Sequence, residues 1–349
     1  MLNQFDSENM FNAIWMFPDN LKDAYQLGEN ISLKNSYIGV ENIIIAGMGG
    51  SAIGGDVLSI LENKNFKIPI ITCRGYSLPS WINDKTLVIC SSYSGNTEET
   101  LSSMEDAISK NAMICGITTG GELASRLSKI QKDVILIPSG LQPRAALAYS
   151  FIPMAKLLEK AGIIKLNMED WLENTISALS HARELYSLEN QDNPIYELAQ
   201  QIYKKIPIIY ADISTLGIAA MRLKGQICEN GKMLAYHNEL PEMNHNEIVG
   251  WENNIDFFKR LFVIWLNDID DNQRVKYRKE ITQDILNNIG IDQYVIEVMG
   301  NSFEERFLHS IHYGDWLSFW CAIFHKTDPS PVDKITILKN KLKKNNDSS

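Results

Sequence analysis

A glycine-rich segment near residue 50 has the composition of a turn that binds an anion. Residues 47–55 read Gly-Met-Gly-Gly-Ser-Ala-Ile-Gly-Gly and directly follow an apolar run at 42–46. Glycines let backbone N–H groups approach a ligand closely, and the first turn of a helix offers unpaired amides and the positive end of its dipole. The segment therefore predicts a phosphate site at the start of a helix.

The same segment also fits the loose dinucleotide fingerprint, because Gly47-x-Gly49-x-x-Ala52 has the required spacing. An NAD enzyme would carry an acidic residue at the end of the second strand, whereas this strand runs into Arg74. The arginine counts against NAD more than against NADP, so an NADP enzyme stays a remote alternative. The GxxxxGK[ST] pattern of nucleotide-hydrolysing loops is absent, and a glycine turn that serves only helix–strand packing remains the structural alternative.

Hydroxyl side chains are concentrated after the third strand candidate. Ser92, Ser94 and Thr97 lie with Gly95 and Asn96 within six residues. Hydroxyls and helix-start amides can donate several hydrogen bonds to one phosphoryl group. A helix cap is the simpler explanation, but a cap requires only one such side chain. Because α/β sheets bind ligands at the carboxyl ends of their strands, we expect both segments to contact one phosphate.

Two charged residues stand where a cleft could use them. Glu229 follows an apolar stretch and precedes Asn230-Gly231, so a turn could direct it into a cleft, although composition alone favours a solvated carboxylate. Arg144 follows Pro143 at the start of a long helical pattern, where the helix dipole disfavours a cation. A fixed cation of this kind can stabilise an anionic intermediate.

His245 is the strongest candidate among the six histidines, because it lies in a polar loop, Asn-His-Asn-Glu. His237 is the second candidate. His309 and His312 could share a helix face and, with His325, could suggest a metal. Without a motif such as H-E-x-x-H, we predict no metal site.

These residues need a scaffold of strands and helices, and the chain alternates β-branched runs with helical patterns, which predicts α/β architecture with parallel sheets wrapped by helices on both faces. The first half has strand candidates at 42–46, 69–72, 86–90, 112–117 and 134–137, and helix candidates at 51–62, 97–110, 122–130 and 144–161. The second half has strand candidates at 206–210, 257–266 and 293–298, and helix candidates at 215–226 and 303–324. We therefore predict two subdomains, 1–162 with leading helices and 163–349 with a C-terminal helix.

The composition bounds the partners. The 349 residues include 33 Lys and Arg against 43 Asp and Glu, a net charge of −10 that argues against nucleic acid and anionic membranes as partners. No apolar stretch approaches the roughly 20 residues that span a bilayer, and the acidic first 23 residues do not resemble a signal peptide. Five cysteines without a CxxC pair indicate reduced thiols, so we expect a cytoplasmic protein.

Together, residues 49–51 and 92–100 resemble the sugar isomerase (SIS) domain, whose hydroxyl-rich loop binds the phosphate of a sugar phosphate. Further matching segments lie at 140–146, 229–232, 244–247 and 328–332. With them the chain resembles the bifunctional phosphoglucose/phosphomannose isomerase family from about Ile43 to Leu342. The resemblance implies two flavodoxin-like SIS subdomains, a homodimer, no cofactor and no metal.

The resemblance also implies an activity of glycolysis and gluconeogenesis, the conversion of glucose 6-phosphate and mannose 6-phosphate to fructose 6-phosphate through a cis-enediol. Glu229 resembles the catalytic base, Arg144 a substrate contact, and His245 a ring-opening residue supplied by the partner subunit. The substrate phosphate would contact Gly49, Gly50, Ser51, Ser92, Ser94 and Thr97.

The family's catalytic lysine corresponds best to Lys339 on the last helix, with Lys326, Lys334 and Lys341 as alternatives. Tolerance for mannose is associated in the family with a small residue near the C-terminal signature, here Ser330 or Val332. A sensor that binds sugar phosphates without converting them is the alternative function, and it would have the phosphate site but no working base.

Overall fold

The first half of the chain forms a five-stranded sheet in the structure, a computed structural model that describes residues 5–346. Its strands are β1 (Asn42–Gly47), β2 (Ile70–Cys73), β3 (Thr86–Ser91), β4 (Met113–Thr118) and β5 (Asp133–Leu136). All four pairings are parallel, in the order β2-β1-β3-β4-β5. Ile43, Ile44 and Ile45 are fully buried and alternate between two apolar clusters, as expected for a strand covered on both faces.

Helices cover both faces of this sheet. They are α1 (Met10–Trp15), α2 (Phe17–Glu29), α3 (Gly49–Leu61), α4 (Glu98–Ser109), α5 (Gly121–Lys129) and α6 (Leu147–Lys160). A short 3-10 turn, Pro143–Ala145, separates β5 from α6. The prediction of one helix at 144–161 is thus resolved into a turn and a helix, and the turn carries Arg144.

The second half forms a smaller parallel sheet. Its strands are β6 (Ile206–Asp212), β7 (Tyr236–Leu240), β8 (Leu261–Asn267) and β9 (Gln293–Glu297), in the order β7-β6-β8-β9. The remaining helices are α7 (Met168–Tyr186), α8 (Pro194–Gln201), α9 (Gly217–Glu229), α10 (Ile255–Phe258), α11 (Gln273–Asn288), α12 (Phe303–Phe324) and α13 (Asp333–Asn346). Two 3-10 helices, Glu242–His245 and Glu247–Glu252, follow β7.

The two halves share one apolar core. A single cluster contains Ile45 and Phe151 from the first half with Ile209 and Trp320 from the second. α12, predicted at 303–324, is buried along almost all of its length between the other helices. The α/β fold with two parallel sheets is confirmed, whereas the boundary at 162/163 falls between α6 and α7 and stays a prediction because the core crosses it.

Two segments differ from the prediction. The strand predicted at 257–266 is wrong at its start, because Ile255–Phe258 is a helical turn with Phe257 exposed and the strand begins at Leu261. The strand Tyr236–Leu240 was not predicted, because an edge strand of mainly polar residues gives no apolar run. Among residues 5–346, no helix has both the length and the apolar character needed to cross a bilayer.

Candidate active site

The glycine-rich segment forms the junction of β1 and α3, as predicted. Gly49 opens α3 with φ +50°, in the left-handed region that favours glycine. A methyl group on Gly50 would lie 2.6 Å from the carbonyl oxygen of Pro143, which is a backbone atom and cannot rotate away as a side chain could. The start of α3 therefore packs directly on the turn that carries Arg144, and only glycine permits this approach.

The hydroxyl segment lies beside the glycine segment, at the end of the neighbouring strand β3. The Ser51 hydroxyl accepts a hydrogen bond from the Tyr93 backbone N–H at 3.1 Å and so joins the two segments. Ser92 donates to the Thr97 hydroxyl at 2.9 Å and accepts from the Gly95 N–H at 3.1 Å. Ser51 and Ser92 are buried, whereas Ser94 is exposed.

Helix capping does not explain this segment. Thr97 occupies the cap position of α4, but within the described residues its side chain makes no capping hydrogen bond. The Asn96 side chain accepts a hydrogen bond from the backbone of Glu122 in α5 instead. The hydroxyls at the ends of β1 and β3 thus surround the start of two helices, which is where parallel sheets bind anions.

Arg144 is the buried cation of the site, with 4% of its surface exposed. Its Nη2 donates to the carbonyl oxygens of Pro329 and Ser330 at 2.7 and 2.9 Å, and its Nε donates to Asn230 Oδ1 at 2.5 Å. These three acceptors are neutral. Burial lowers the pKa of Arg144, and the nearby carboxylate of Glu229 acts against this shift.

Glu229 is the last residue of α9, and its carboxylate lies 3.5 Å from Arg144 Nη1. It is about one third exposed, so one side of the carboxylate faces solvent while the other faces the arginine. Two residues that are 85 positions apart in the sequence are therefore neighbours. This pairing places a carboxylate and a fixed cation at one point, as the chemistry of proton abstraction requires.

A buried network of hydrogen bonds holds Arg144 in place. The Asn230 side chain accepts from Arg144 and donates to Ser318 at 2.9 Å. Arg222 donates to the backbone oxygen of Arg144 at 2.9 Å and to both oxygens of Asp315 at 2.9 and 2.8 Å. The pair joins Arg222 of α9 to Asp315 of α12. The sequence contains a sign of it, because Asp315 is an acidic residue within an otherwise apolar stretch of that helix. Arg222 and Asp315 were not among the predicted site residues.

Lys232 is a further cation of the site, and it lies in the segment 229–232 without having been predicted as a site residue. Its ammonium donates to the backbone oxygens of Glu229 and Pro329 at 2.5 and 2.9 Å. Partial desolvation and the positive charge of Arg144 lower the pKa of Lys232 to about 8. The site thus holds two neighbouring cations, as a pocket for a negatively charged ligand does.

The structure does not bring every predicted residue to this point. His245 is exposed at the end of the 3-10 helix after β7, and among the described residues no hydrogen bond or ion pair joins it to Glu229 or Arg144. Lys339 is exposed on α13, and within residues 5–346 neither Lys339 nor Lys326, Lys334 and Lys341 contacts these two residues through a polar bond.

The other histidines have structural surroundings. His312 is fully buried and accepts from Trp316 at 3.1 Å, and burial lowers its pKa to about 3. His309 pairs with the Tyr186 hydroxyl at 2.8 Å. His237 is half-buried on β7, and its desolvation lowers its pKa. Among residues 5–346, no three His, Cys, Asp or Glu side chains are grouped as a metal site would need.

Comparison with known proteins extends these observations. The family model described as the bacterial phospho-glucose isomerase C-terminal SIS domain matches residues 191–342. The chain is 44% identical over 335 residues to the bifunctional phosphoglucose/phosphomannose isomerase of Caldicellulosiruptor bescii, covering 95% of this chain and 98% of that protein. It is 38% identical over 305 residues to the protein of the same name from Aquifex aeolicus, covering 87% and 91%.

A solved structure supports the fold. The crystal structure of a hypothetical protein from Thermus thermophilus superimposes with a TM-score of 0.72 at 14% identity, covering 97% of this chain and 90% of that one. At this identity the likeness shows the architecture alone.

Proposed function

Since this chain belongs to the bifunctional phosphoglucose/phosphomannose isomerase family, we propose that it converts glucose 6-phosphate and mannose 6-phosphate to fructose 6-phosphate. The observation that carries the proposal is the pairing of Glu229 with the buried Arg144 at 3.5 Å. The pairing is flanked by hydroxyls and helix-start amides that suit a phosphate. The substrate class is thus a sugar phosphate, and the reaction is an aldose–ketose isomerisation.

The phosphate is held by neutral donors in this mechanism. Gly49, Gly50 and Ser51 at the start of α3, and Ser92, Ser94 and Thr97 before α4, supply amides and hydroxyls at the ends of adjacent strands. Helix-start amides favour an anion, so the dianionic phosphate is bound although the chain carries a net charge of −10.

Glu229 is the base that moves the proton. It removes the proton from C2 of the open aldose phosphate, and the same carboxyl group returns a proton to C1. The hydroxyl proton passes from O2 to O1, which gives the ketose. The partly exposed position of Glu229 at the end of α9 leaves its carboxylate accessible to a substrate. Positioned acid–base groups of this kind contribute roughly 10²–10⁴-fold in rate.

Arg144 stabilises the charge that develops on the substrate oxygens in the cis-enediolate. Its three neutral acceptors fix the guanidinium beside Glu229, so a developing oxyanion is stabilised without reorganisation of the protein. One base serves both epimers if the C2–C3 bond of the open sugar rotates before reprotonation. Ser330 contacts Arg144 through its carbonyl and is our candidate, with Val332, for the small residue that admits mannose.

Ring opening requires an acid at the ring oxygen, and we assign this step to His245 of a second subunit in a homodimer. Three large apolar residues that follow His245, Val249, Ile255 and Phe257, are each more than 60% exposed. Exposed apolar groups of this size indicate a protein contact surface.

Lys339 on α13 is the lysine that we propose as a further cation, which assists ring opening or binds the phosphate. Lys326, Lys334 and Lys341 are the alternatives.

The first experiment measures fructose 6-phosphate formation from each aldose phosphate, for the wild type and for Glu229→Gln, with and without a chelator. We expect wild-type turnover in chelator and a loss of roughly 10³-fold in the variant, with the fold unchanged by circular dichroism. Full activity of the variant excludes Glu229 as the base. Binding without turnover in the wild type supports the sensor instead.

The same variant tests the subunit arrangement. If His245 acts across a dimer interface, mixing the inactive Glu229→Gln and His245→Ala proteins generates heterodimers with one intact site. Activity then recovers to about half of the wild-type value per heterodimer. Absence of recovery, in a mixture shown to exchange subunits, excludes the contribution in trans.

A further inference from the structure

The loop that carries His245 has its own anchor. His245 ends a four-residue 3-10 helix and is exposed, and among the described residues its ring makes no hydrogen bond. A ring that acts as an acid must nevertheless be held close to its productive position. Whatever fixes it must therefore act on the backbone of its neighbours.

Glu247, two residues later, provides such an anchor. Its Oε2 accepts a hydrogen bond from Asn238 Nδ2 at 2.5 Å, and its Oε1 accepts one from the Tyr210 hydroxyl. Tyr210 and Asn238 are direct partners in the pairing of β6 with β7, so they project from adjacent strands at the same level. One carboxylate thus joins the loop to two strands of the second sheet.

The anchor consists of strong bonds. Both hydrogen bonds are accepted by a carboxylate, which makes them stronger than bonds between neutral groups. Tyr210 is fully buried, and burial together with the charge of Glu247 raises its pKa far above 10, so the phenol remains a donor at every working pH. The tyrosine ring packs on Trp265 within the core, which fixes the donor itself.

The residues on either side of His245 are held as well. Asn244 donates to the Thr282 hydroxyl of α11 at 3.0 Å, and Asn246 accepts from the Glu247 backbone N–H at 2.6 Å. The bonds of Asn244 to α11 and of Glu247 to β6 and β7 therefore hold the backbone on both sides of His245.

We propose that Glu247 is a positioning residue that fixes the backbone of His245 for ring opening, through its bonds to Tyr210 and Asn238. The proposal rests on the proposed function, because Glu247 does not contact the substrate and acts through the ring-opening role of His245. A displacement of about 1 Å at a catalytic group costs up to about 10²-fold in rate. The phosphate loops lie on the other sheet, so substrate affinity should depend little on this anchor.

The test is a double-mutant cycle with Glu247→Gln and His245→Ala. Glutamine keeps one acceptor but places an NH2 group against a donor, so the anchor is weakened while the side-chain size is kept. We expect kcat to fall about 10- to 100-fold in Glu247→Gln, with KM within about threefold of wild type. In the His245→Ala background, the same substitution should cost less than about twofold, because the group that it positions is gone.

The controls separate positioning from folding. Glu252→Gln is the same change in the same loop at an exposed residue without a hydrogen-bonded partner among the described side chains, and its kcat should equal that of wild type. If Glu247→Gln fails to fold, Tyr210→Phe removes a single donor and should lower kcat in the same direction.

Two results would overturn the proposal. If Glu247→Gln lowers kcat by the same factor in the wild type and in His245→Ala, the residue acts on stability or on another group. The positioning role is then wrong, although the isomerase function stands. If the wild type isomerises neither sugar phosphate, the function itself fails, and the role of Glu247 fails with it.

Discussion

The two sheets share a strand order, but the loops at their carboxyl ends have opposite chemistry. β1 and β3 lie side by side in the first sheet, as β6 and β8 do in the second. The first pair is followed by glycines and hydroxyls. The second pair ends in the buried Asp212 and is followed by Asp268, Asp270 and Asp271.

The acidic groups of the second sheet have partners within the same half of the chain. Asp268 accepts from Arg306 at 2.8 and 3.0 Å, and Asp271 pairs with Lys279 at 2.6 Å. Asp212 accepts from the Asn272 backbone N–H at 3.1 Å. The position that we propose for the phosphate in the first sheet is occupied in the second by ion pairs within the protein.

The cations of the two regions differ accordingly. Pairing with Asp268 raises the pKa of Arg306, whereas burial lowers the pKa of Arg144 and lowers that of Lys232 to about 8. The difference follows from desolvation of Arg144 and Lys232 and from the direct pairing of Arg306. One topology thus carries the proposed binding site at the first sheet and a salt-bridge network at the second, because loops rather than topology decide the function.

The largest effect should come from breaking the second network. Arg306→Met leaves Asp268 buried without its partner, and we expect a loss of about 3–5 kcal/mol in the free energy of unfolding, measured in urea. Specific activity at low temperature should stay within about twofold, because the described side-chain partners of Arg306 are Asp268 and Asp270 and not Arg144 or Glu229. The matched control is Arg274→Met on the exposed side of α11, which should cost less than about 0.5 kcal/mol.

A second substitution sharpens this result. Asp268→Asn in the Arg306→Met background removes the unpaired charge and should recover part of the lost stability. A loss below about 1 kcal/mol in the single variant would show that the network is not what holds the second sheet's loops together.

The next largest effect should come from giving a loop of the first sheet an acidic side chain like those of the second sheet. Ser94→Asp places a carboxylate in the exposed hydroxyl segment, where it would repel a phosphate dianion. We expect kcat/KM to fall roughly 10²- to 10³-fold, mainly through KM, with little change in thermal stability. Ser109→Asp at the exposed end of α4 is the control and should leave both constants unchanged. A KM within threefold of wild type for Ser94→Asp would place the phosphate elsewhere.

The smallest effect concerns the depressed pKa of Lys232. With a pKa of about 8 in the folded state against 10.5 ordinarily, the lysine is neutral when folded and charged when unfolded between about pH 8 and 10.5. The unfolded state binds more protons in this window, so this group's contribution to stability rises with pH there. The rise should be absent in Lys232→Met.

The same titration should appear in catalysis. Loss of the ammonium above about pH 8 should lower kcat/KM for a phosphate substrate about threefold to fivefold, as expected for an exposed charge pair. Lys232→Met should flatten this limb, whereas the exposed Lys129→Met should retain it. A limb that persists in Lys232→Met must belong to another group.

The first half of the fold was predictable because its strands are buried on both faces and therefore appear as continuous apolar runs. Each observed strand there lies within one residue of its predicted ends. The strand Tyr236–Leu240 was not predictable in this way, because it is an edge strand whose side chains are mainly polar and only half-buried. Tertiary pairing with β6, rather than local preference, makes it a strand.

The site was predictable as separate parts. Arg144 and Glu229 were each recognised from their local setting and from a family resemblance, but nothing in a single sequence indicates that they lie 3.5 Å apart. Asn230 and Lys232 lie in the segment 229–232 that carries part of the family resemblance. Their roles depend on the orientation of an amide and an ammonium toward Arg144, which only the folded chain determines.

The bonds of Arg144 also bear on how the protein is synthesised. Its guanidinium is held by the carbonyl groups of residues 185 and 186 positions further along the chain. A ribosome must therefore have translated the chain at least as far as Ser330 before this cation finds its acceptors. Until then a nascent chain carries the first sheet without the hydrogen bonds that fix Arg144. Prematurely terminated products should therefore be inactive fragments and targets for proteolysis rather than partial enzymes.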